Sequence, residues 1–306
     1  MTGNIATPGE PDRPTQPNQF RRPSRIFTSR IWRDRFGAAI ALLLLITIGF
    51  IWVALPVGWV ALTSLKERGQ IFAWPPVYWP DPIRWENYTE VMTQIPLLRY
   101  SLNSLFISLM NIIGRVLSCT VVAYSFARLR FPGRNFWFMV MLSTLVIPHQ
   151  VTLIPQFLLY SWLGWNGTYL PLIVPAFFGD AFFIFLMRQY IMTLPIQLDE
   201  AARIDGASTW HVFRRIILPL CVPPMIVITV LTYLWTWNEF LMPLIYISRY
   251  DDYTIQLGLD MLKGRYNIQW NLIMAGSIIG MVPPAVVFFF TQKYVIGGIA
   301  NIGIKG

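Results

Sequence analysis

Leu198-Asp199-Glu200-Ala201-Ala202-Arg203-Ile204-Asp205-Gly206-Ala207-Ser208-Thr209-Trp210-His211-Val212-Phe213-Arg214-Arg215-Ile216-Ile217-Leu218-Pro219 is a polar island between two long apolar runs. Its chemistry reads as two short helices around a glycine. Asp199 and Glu200 in the opening turn complement the positive end of the first helix dipole, Ala201 and Ala202 give small faces, and Gly206 stands where a left-handed C-terminal cap belongs. Ser208 is then the N-cap of the second helix. A compact helix-glycine-helix of this kind suits either a groove in a soluble partner or the plane of a membrane interface.

The flanking runs settle the solvent. Of 306 residues, 55% are hydrophobic and 13% charged, about half the charge of an ordinary soluble domain. Crossing a bilayer core of about 30 Å takes roughly 20 apolar residues at 1.5 Å each. Six stretches meet that length, near 37–63, 101–126, 135–160, 168–190, 217–247 and 272–297. The expected fold class is therefore an all-α membrane protein with six transmembrane helices. Sixteen Lys and Arg fall on the side of the N-terminus and seven on the other, where seven acids balance them. Basic residues are held on the cytoplasmic side, so both termini and the Gly206 turn are expected there.

The same distribution explains the net charge of +9 without nucleic acid, because the cations sit in short segments between spans rather than on a polar domain. Cys119 and Cys221 both fall inside apolar stretches and read as packing residues, not as a disulfide framework or metal cluster. Residues 1–36 are expected to form a cytoplasmic arm, disordered through the Pro-, Gln-, Thr- and Arg-rich start, and the first span follows too polar a leader to be a cleaved signal. Residues 37–306 form the helical domain, with residues 191–216 as its polar loop. Pro223-Pro224 and Pro283-Pro284 are expected to interrupt the fifth and sixth spans, which a membrane tolerates in a packed bundle. Gly276-xxx-Gly280 permits close backbone approach to the sixth.

Within the polar island, Glu200, Ala201, Ala202, Gly206, Ile216, Leu218 and Pro219 stand at the spacing Glu-Ala-Ala, three residues, Gly, nine residues, Ile-x-Leu-Pro. That pattern resembles the signature loop of permease subunits in binding-protein-dependent ABC importers. Ala123-Tyr124-Ser125-Phe126-Ala127-Arg128, Phe131-Pro132-Gly133, Trp237-Asn238-Glu239-Phe240 and Gly303-Ile304-Lys305-Gly306 resemble the carbohydrate branch, in the manner of the second, maltose-type permease. The likeness runs from about residue 38 to 306. It implies the type I importer permease fold in a bacterial inner membrane, a second permease subunit, a dimer of ATP-binding subunits and an extracytoplasmic solute-binding protein. It also implies that the loop docks in a cleft of the ATPase through Glu200, Ala201, Ala202 and Gly206, with Arg203 and Asp205 as flanking charges. The chain itself holds no Gly-x-x-x-x-Gly-Lys-Ser/Thr loop to cradle phosphates, so ATP and Mg belong to a partner and no cofactor or catalytic residue is expected here.

Arg115, Asp180 and Glu239 are ionisable residues inside expected spans, where burial is costly and function is the default suspicion. Arg115 and Asp180 lie at similar mid-membrane depths, so they either pair or line a water-filled path separately. The family resemblance implies uncharged polar residues at both positions, and this chain departs from it. Glu239 counts to the outer boundary beside Trp235, Trp237 and Asn238, a cluster that reads as an outer sugar gate or as an aromatic interface belt. His149 reads as a bundle residue. Two other classes compete. An intramembrane hydrolase built around Gly179-Asp180 needs two carboxylates at one depth, which Asp180 and Glu239 are not expected to share. An ion-driven secondary transporter would show inverted repeats, and none is visible.

Overall fold

The computed structural model describes residues 25–264 and 268–303. Helices and turns make up its regular structure, with no strand among the described residues. In chain order the helices are α1 (Arg25–Ser64), α2 (Glu86–Gln94), α3 (Leu97–Arg128), α4 (Arg134–Ser143), α5 (His149–Trp162), α6 (Leu170–Ile173), α7 (Ala181–Thr193), α8 (Gln197–Ile204), α9 (Thr209–Val212), α10 (Leu218–Leu220), α11 (Val222–Asn238), α12 (Leu241–Tyr246), α13 (Ile255–Met261) and α14 (Trp270–Gly303). Two compact units divide the chain between Val57 and Gly58. The first contains most of α1, whose stretch from Leu42 to Leu55 is apolar almost throughout. The packing that follows lies within the second.

Four helical stretches are long and apolar enough to span: Ala38–Ser64, Leu97–Arg128, Leu170–Thr193 and Trp270–Lys293. Two more are bent pairs, Arg134–Val146 with His149–Trp162 at 99° and Thr209–Leu220 with Val222–Asn238 at 70°. The six apolar runs thus correspond to four spans, or six where each bent pair counts as one. The first bend lies at Ile147, held extended (ψ 115°) before Pro148, as a proline forces on its predecessor. The second lies at Cys221. Pro223 and Pro224 occupy the first turn of α11, where a missing N–H costs nothing, so the fifth span is interrupted beside them, as expected, and a new helix starts there. Pro283 and Pro284 lie inside α14, which runs on without a break, against expectation. The helical backbone of α1 begins at Arg25, within the segment expected to be a disordered arm; Pro23 is the last proline before Pro56, so nothing between them stops a helix. Residues 1–24 of that arm and Ile304–Gly306 of the terminal motif lie outside the described residues.

The long helix α3 organises the bundle by holding the irregular segment between α6 and α7. Val174–Phe178 is a tight 3₁₀ turn, and Gly179 follows at φ 93°. Carbonyls left open there would cost several kcal/mol each in hydrocarbon. One face of α3 satisfies them: Asn111 Nδ2 donates to the Leu172 carbonyl at 2.8 Å and Ser118 Oγ to the Ala176 carbonyl at 3.1 Å. The Asp180 N–H turns to Cys119 Sγ at 3.3 Å. Gly114 lets the two backbones meet, since a Cβ there would lie 2.9 Å from the Phe177 ring and 3.0 Å from the Ala176 carbonyl carbon.

Two apolar cores sit at either end of the bundle. One joins α3, α7 and the helices of the polar island through Tyr124, Phe183, Met187, Val212, Phe213 and Ile217. The other joins α2, the start of α3, α11, α13 and α14 through Val91, Tyr100, Tyr233, Ile255 and Leu272. Gly276 and Gly280 face Leu259 and Ile255 of α13, so the small-residue pair receives a helix of its own chain. Next to the second core, buried Lys66 donates to the Val77 carbonyl and lies 4.8 Å from the Trp59 ring, and burial pushes its amine below the usual lysine pKa.

Candidate functional site

The polar island folds as its residues dictate. α8 ends in a six-to-one bond from the Ala207 N–H to the Ala202 carbonyl at 2.9 Å, with Gly206 left-handed at φ 81°, the geometry of a Schellman-type terminus. Ser208 Oγ accepts the His211 N–H at 3.3 Å and starts α9. Glu200, Ala201, Arg203, Asp205 and Gly206 are exposed, whereas Ala202 is buried. Ile204, at the tip of α8, is 87% exposed.

The side of α8 that faces inward carries a charge that the motif did not single out. Asp199 is buried, with Arg128 Nε 3.0 Å from its Oδ2 and side-chain exposures of 6% for the arginine and 3% for the aspartate. Arg128 Nη2 also donates to the Leu194 carbonyl at 2.7 Å. This pair joins the last turn of α3 to the first turn of α8. A sequence signal was present: Asp199 is three residues before Ala202, hence on the same helical face.

Deeper in the bundle lies a cavity of about 580 Å³, lined from α3, α5, α6, α11 and α12 and by the Gly179-Asp180 break. Arg115 and Asp180 meet there, Nη2 to Oδ2 at 3.9 Å, with side chains 21% and 27% exposed. The other oxygen of Asp180 caps α7, accepting the N–H groups of Phe182 at 3.0 Å and Phe183 at 3.4 Å. The Arg115 guanidinium lies 5.6 Å from the Phe183 ring and 5.9 Å from Trp235. Its Nη1 has no hydrogen-bond partner among the described residues. Glu239 lines the same cavity while its Oε1 accepts from the Leu241 N–H at 2.9 Å and the Met242 N–H at 3.2 Å. Glu239 and Asp180 thus line one cavity, Glu239 from the turn that follows α11 at Asn238.

Two expectations change. Trp237 is 2% exposed, packs in the core with Tyr233 and donates Nε1–H to the Gly280 carbonyl at 3.0 Å. Asn238 turns to the Leu234 carbonyl and to Gln256 of α13. Neither lines the cavity, whereas Trp235, two residues away and so on another helical face, does. In their place the cavity draws polar groups that no sequence motif marks: Asn111, His149, Gln150, Gln156 and Tyr160. His149, Gln156 and Tyr160 recur at intervals of seven and four, one face of α5. No group of three His, Cys, Asp or Glu side chains able to hold a metal occurs among the described residues.

A helical bundle with several membrane-spanning segments, a polar internal cavity and a helix-glycine-helix at one end is a membrane transport subunit. The chain belongs to the family of binding-protein-dependent transport system inner membrane components, whose family model matches residues 119–300. It is 35% identical over 270 residues to the osmoprotective compounds uptake permease protein GgtD of Synechocystis sp., covering 85% of this chain and 90% of the relative. It is 32% identical to the arabinooligosaccharides transport system permease protein AraQ of Halalkalibacterium halodurans, covering 86% and 96%. In fold it is similar to a chain in the crystal structure of a bacterial ABC transporter for the acidic polysaccharide alginate, with a TM-score of 0.75 at 21% identity over 86% of this chain and 97% of that one. The resemblance read from the Glu-Ala-Ala loop holds, and with it the assignment as an inner-membrane transport subunit rather than an enzyme.

Proposed function

We propose that this permease takes up a sugar, polyol or related glycoside, that its Gly206 turn docks on a separate ATP-binding subunit in the cytoplasm, and that the Arg115-Asp180 cavity is its share of the translocation path. The observation that carries the docking reading is the turn itself: a capped helix-glycine-helix that exposes Ile204 and the charges Glu200, Arg203 and Asp205. An exposed isoleucine at the tip of a charged helix is an anchor for a partner's groove. The excess of Lys and Arg on the loop's side supports a cytoplasmic position. ATP and Mg would be held by a dimer of that partner, and a second permease, a solute-binding protein and membrane lipid would complete the assembly. The substrate class is supported by the names of the relatives and by a cavity rich in amide, hydroxyl and aromatic groups, which suit sugar hydroxyls and C–H faces.

Gly206→Val tests the docking. A Cβ at Gly206 would meet no neighbour, so the substitution acts only through the left-handed backbone that a β-branched residue resists. The variant is expected to insert in the membrane and lose its ATPase on co-purification. Wild-type assembly and transport would refute the role given to the turn.

A further inference from the structure

The Arg128-Asp199 pair is buried beneath the docking surface and takes no part in it. Both side chains face away from the exposed tip of α8. Exchanging a buried ion pair for well-packed apolar side chains is commonly neutral or stabilising, so such a pair is weak evidence for a stability role and better suited to fixing position. Its geometry agrees: the atoms approach to 3.0 Å without an aligned hydrogen bond, and neither Asp199 oxygen has a hydrogen-bond partner among the described residues. Position is held on three sides nonetheless. Arg128 ends α3, grips Asp199 at the start of α8 and reaches the Leu194 carbonyl in the connection from α7. A second arginine crosses in the other direction, Arg188 Nε of α7 to the Phe126 carbonyl of α3 at 3.4 Å. From Arg128, α3 runs unbroken and without proline to Arg115 on the cavity wall, thirteen residues and about 20 Å away.

Resting on the docking role of the Gly206 turn, we infer that Arg128 is a positioning residue that makes α8 and α3 a single moving body, so that displacement of the docking turn is delivered to the Arg115 wall of the cavity. A chain of packed elements moved as one unit is how a distant site is biased, and the pair is the junction of that chain. The consequence is specific: without the junction the ATPase still binds, but the cavity no longer answers to nucleotide.

The test uses the permease in nanodiscs with its own ATPase and solute-binding protein. Thr236→Cys, on the cavity wall, reports exposure through its rate of reaction with a membrane-impermeant maleimide, before and after trapping with ATP and vanadate; the native Cys119 and Cys221 are buried. Arg128→Met combined with Asp199→Leu removes both charges while keeping the space filled. This double variant is expected to retain its ATPase within twofold and to lose at least tenfold of the nucleotide-driven change in Thr236→Cys reactivity. A wild-type response overturns the inference, and so does loss of the ATPase, which would make the pair a support for docking alone. Should the double variant fail to accumulate, Arg128→Lys, which keeps the charge but only one of the two contacts, is read on the same assay. At least threefold loss is expected, and an undiminished response overturns the inference. Gly206→Val run alongside separates the two roles: if it keeps its ATPase the docking role fails, while the role of Arg128 stands or falls by its own variants.

Discussion

Two of the arginine-aspartate pairs on α3 are built differently. At its end, Arg128 and Asp199 are 3.0 Å apart and almost dry; halfway up, Arg115 and Asp180 are 3.9 Å apart with a fifth to a quarter of each side chain open to the cavity. The first pair has no space to rearrange. In the second, one carboxylate oxygen is committed to capping α7 and a guanidinium nitrogen has no hydrogen-bond partner among the described residues. Burial, more than charge, sets what an ion pair does: the dry one fixes geometry, and the wet one can exchange partners at low cost because water screens its loss.

The largest effect should come from breaking the dry pair on one side. Asp199→Ala leaves the Arg128 guanidinium buried without its counter-charge, a change worth about 3–5 kcal/mol, and should sharply lower the melting temperature of the solubilised permease. A loss under about 1 kcal/mol would mean that the two pairs are alike. Gly114→Ala should be intermediate. Its new methyl meets Phe177 and the backbone of Ala176, so overpacking of about 1–3 kcal/mol is expected, and α3 is pushed from the Asp180 segment while the far end stays in place. Hydrogen exchange should rise at Gly179–Phe183 and stay unchanged at Gln197–Ile204; a rise at both would show that α3 does not separate the two sites. The smallest effect is the coupling within the wet pair. A double-mutant cycle of Arg115→Met and Asp180→Asn, which keeps an oxygen for the cap, should give an interaction of about 1 kcal/mol or less. A value near that of the dry pair would erase the distinction.

Much of this is legible in the chain. The long apolar runs announce the spans, matched depth offers the pairing of Arg115 with Asp180 as one of two readings, and Gly206 with Ser208 carries the helix-glycine-helix turn on local rules of helix capping. The breaks are harder to read, because the apolar run continues straight through Ile147-Pro148 and resumes at once after Gly179-Asp180. Grouping Trp235, Trp237, Asn238 and Glu239 by nearness in sequence fails for another reason. Residues two apart on a helix face different ways, and Trp237 goes to the core. In sequence Arg128 is only a cation in a motif and Asp199 only a dipole partner. What makes them a pair is a contact between residues 71 positions apart, which no local rule encodes.

The side chains that take up the backbone groups of Leu172, Ala176 and Asp180 belong to a helix synthesised earlier, α3. By the time the 170–193 segment leaves the ribosome, Asn111, Ser118 and Cys119 can already stand in the bilayer with hydrogen-bonding groups to spare. A length of chain that lipid alone would reject as too irregular thus meets its binding surface on arrival. Reversing the order of the two segments in the gene would leave the same contacts on paper and no template in the membrane when they are needed.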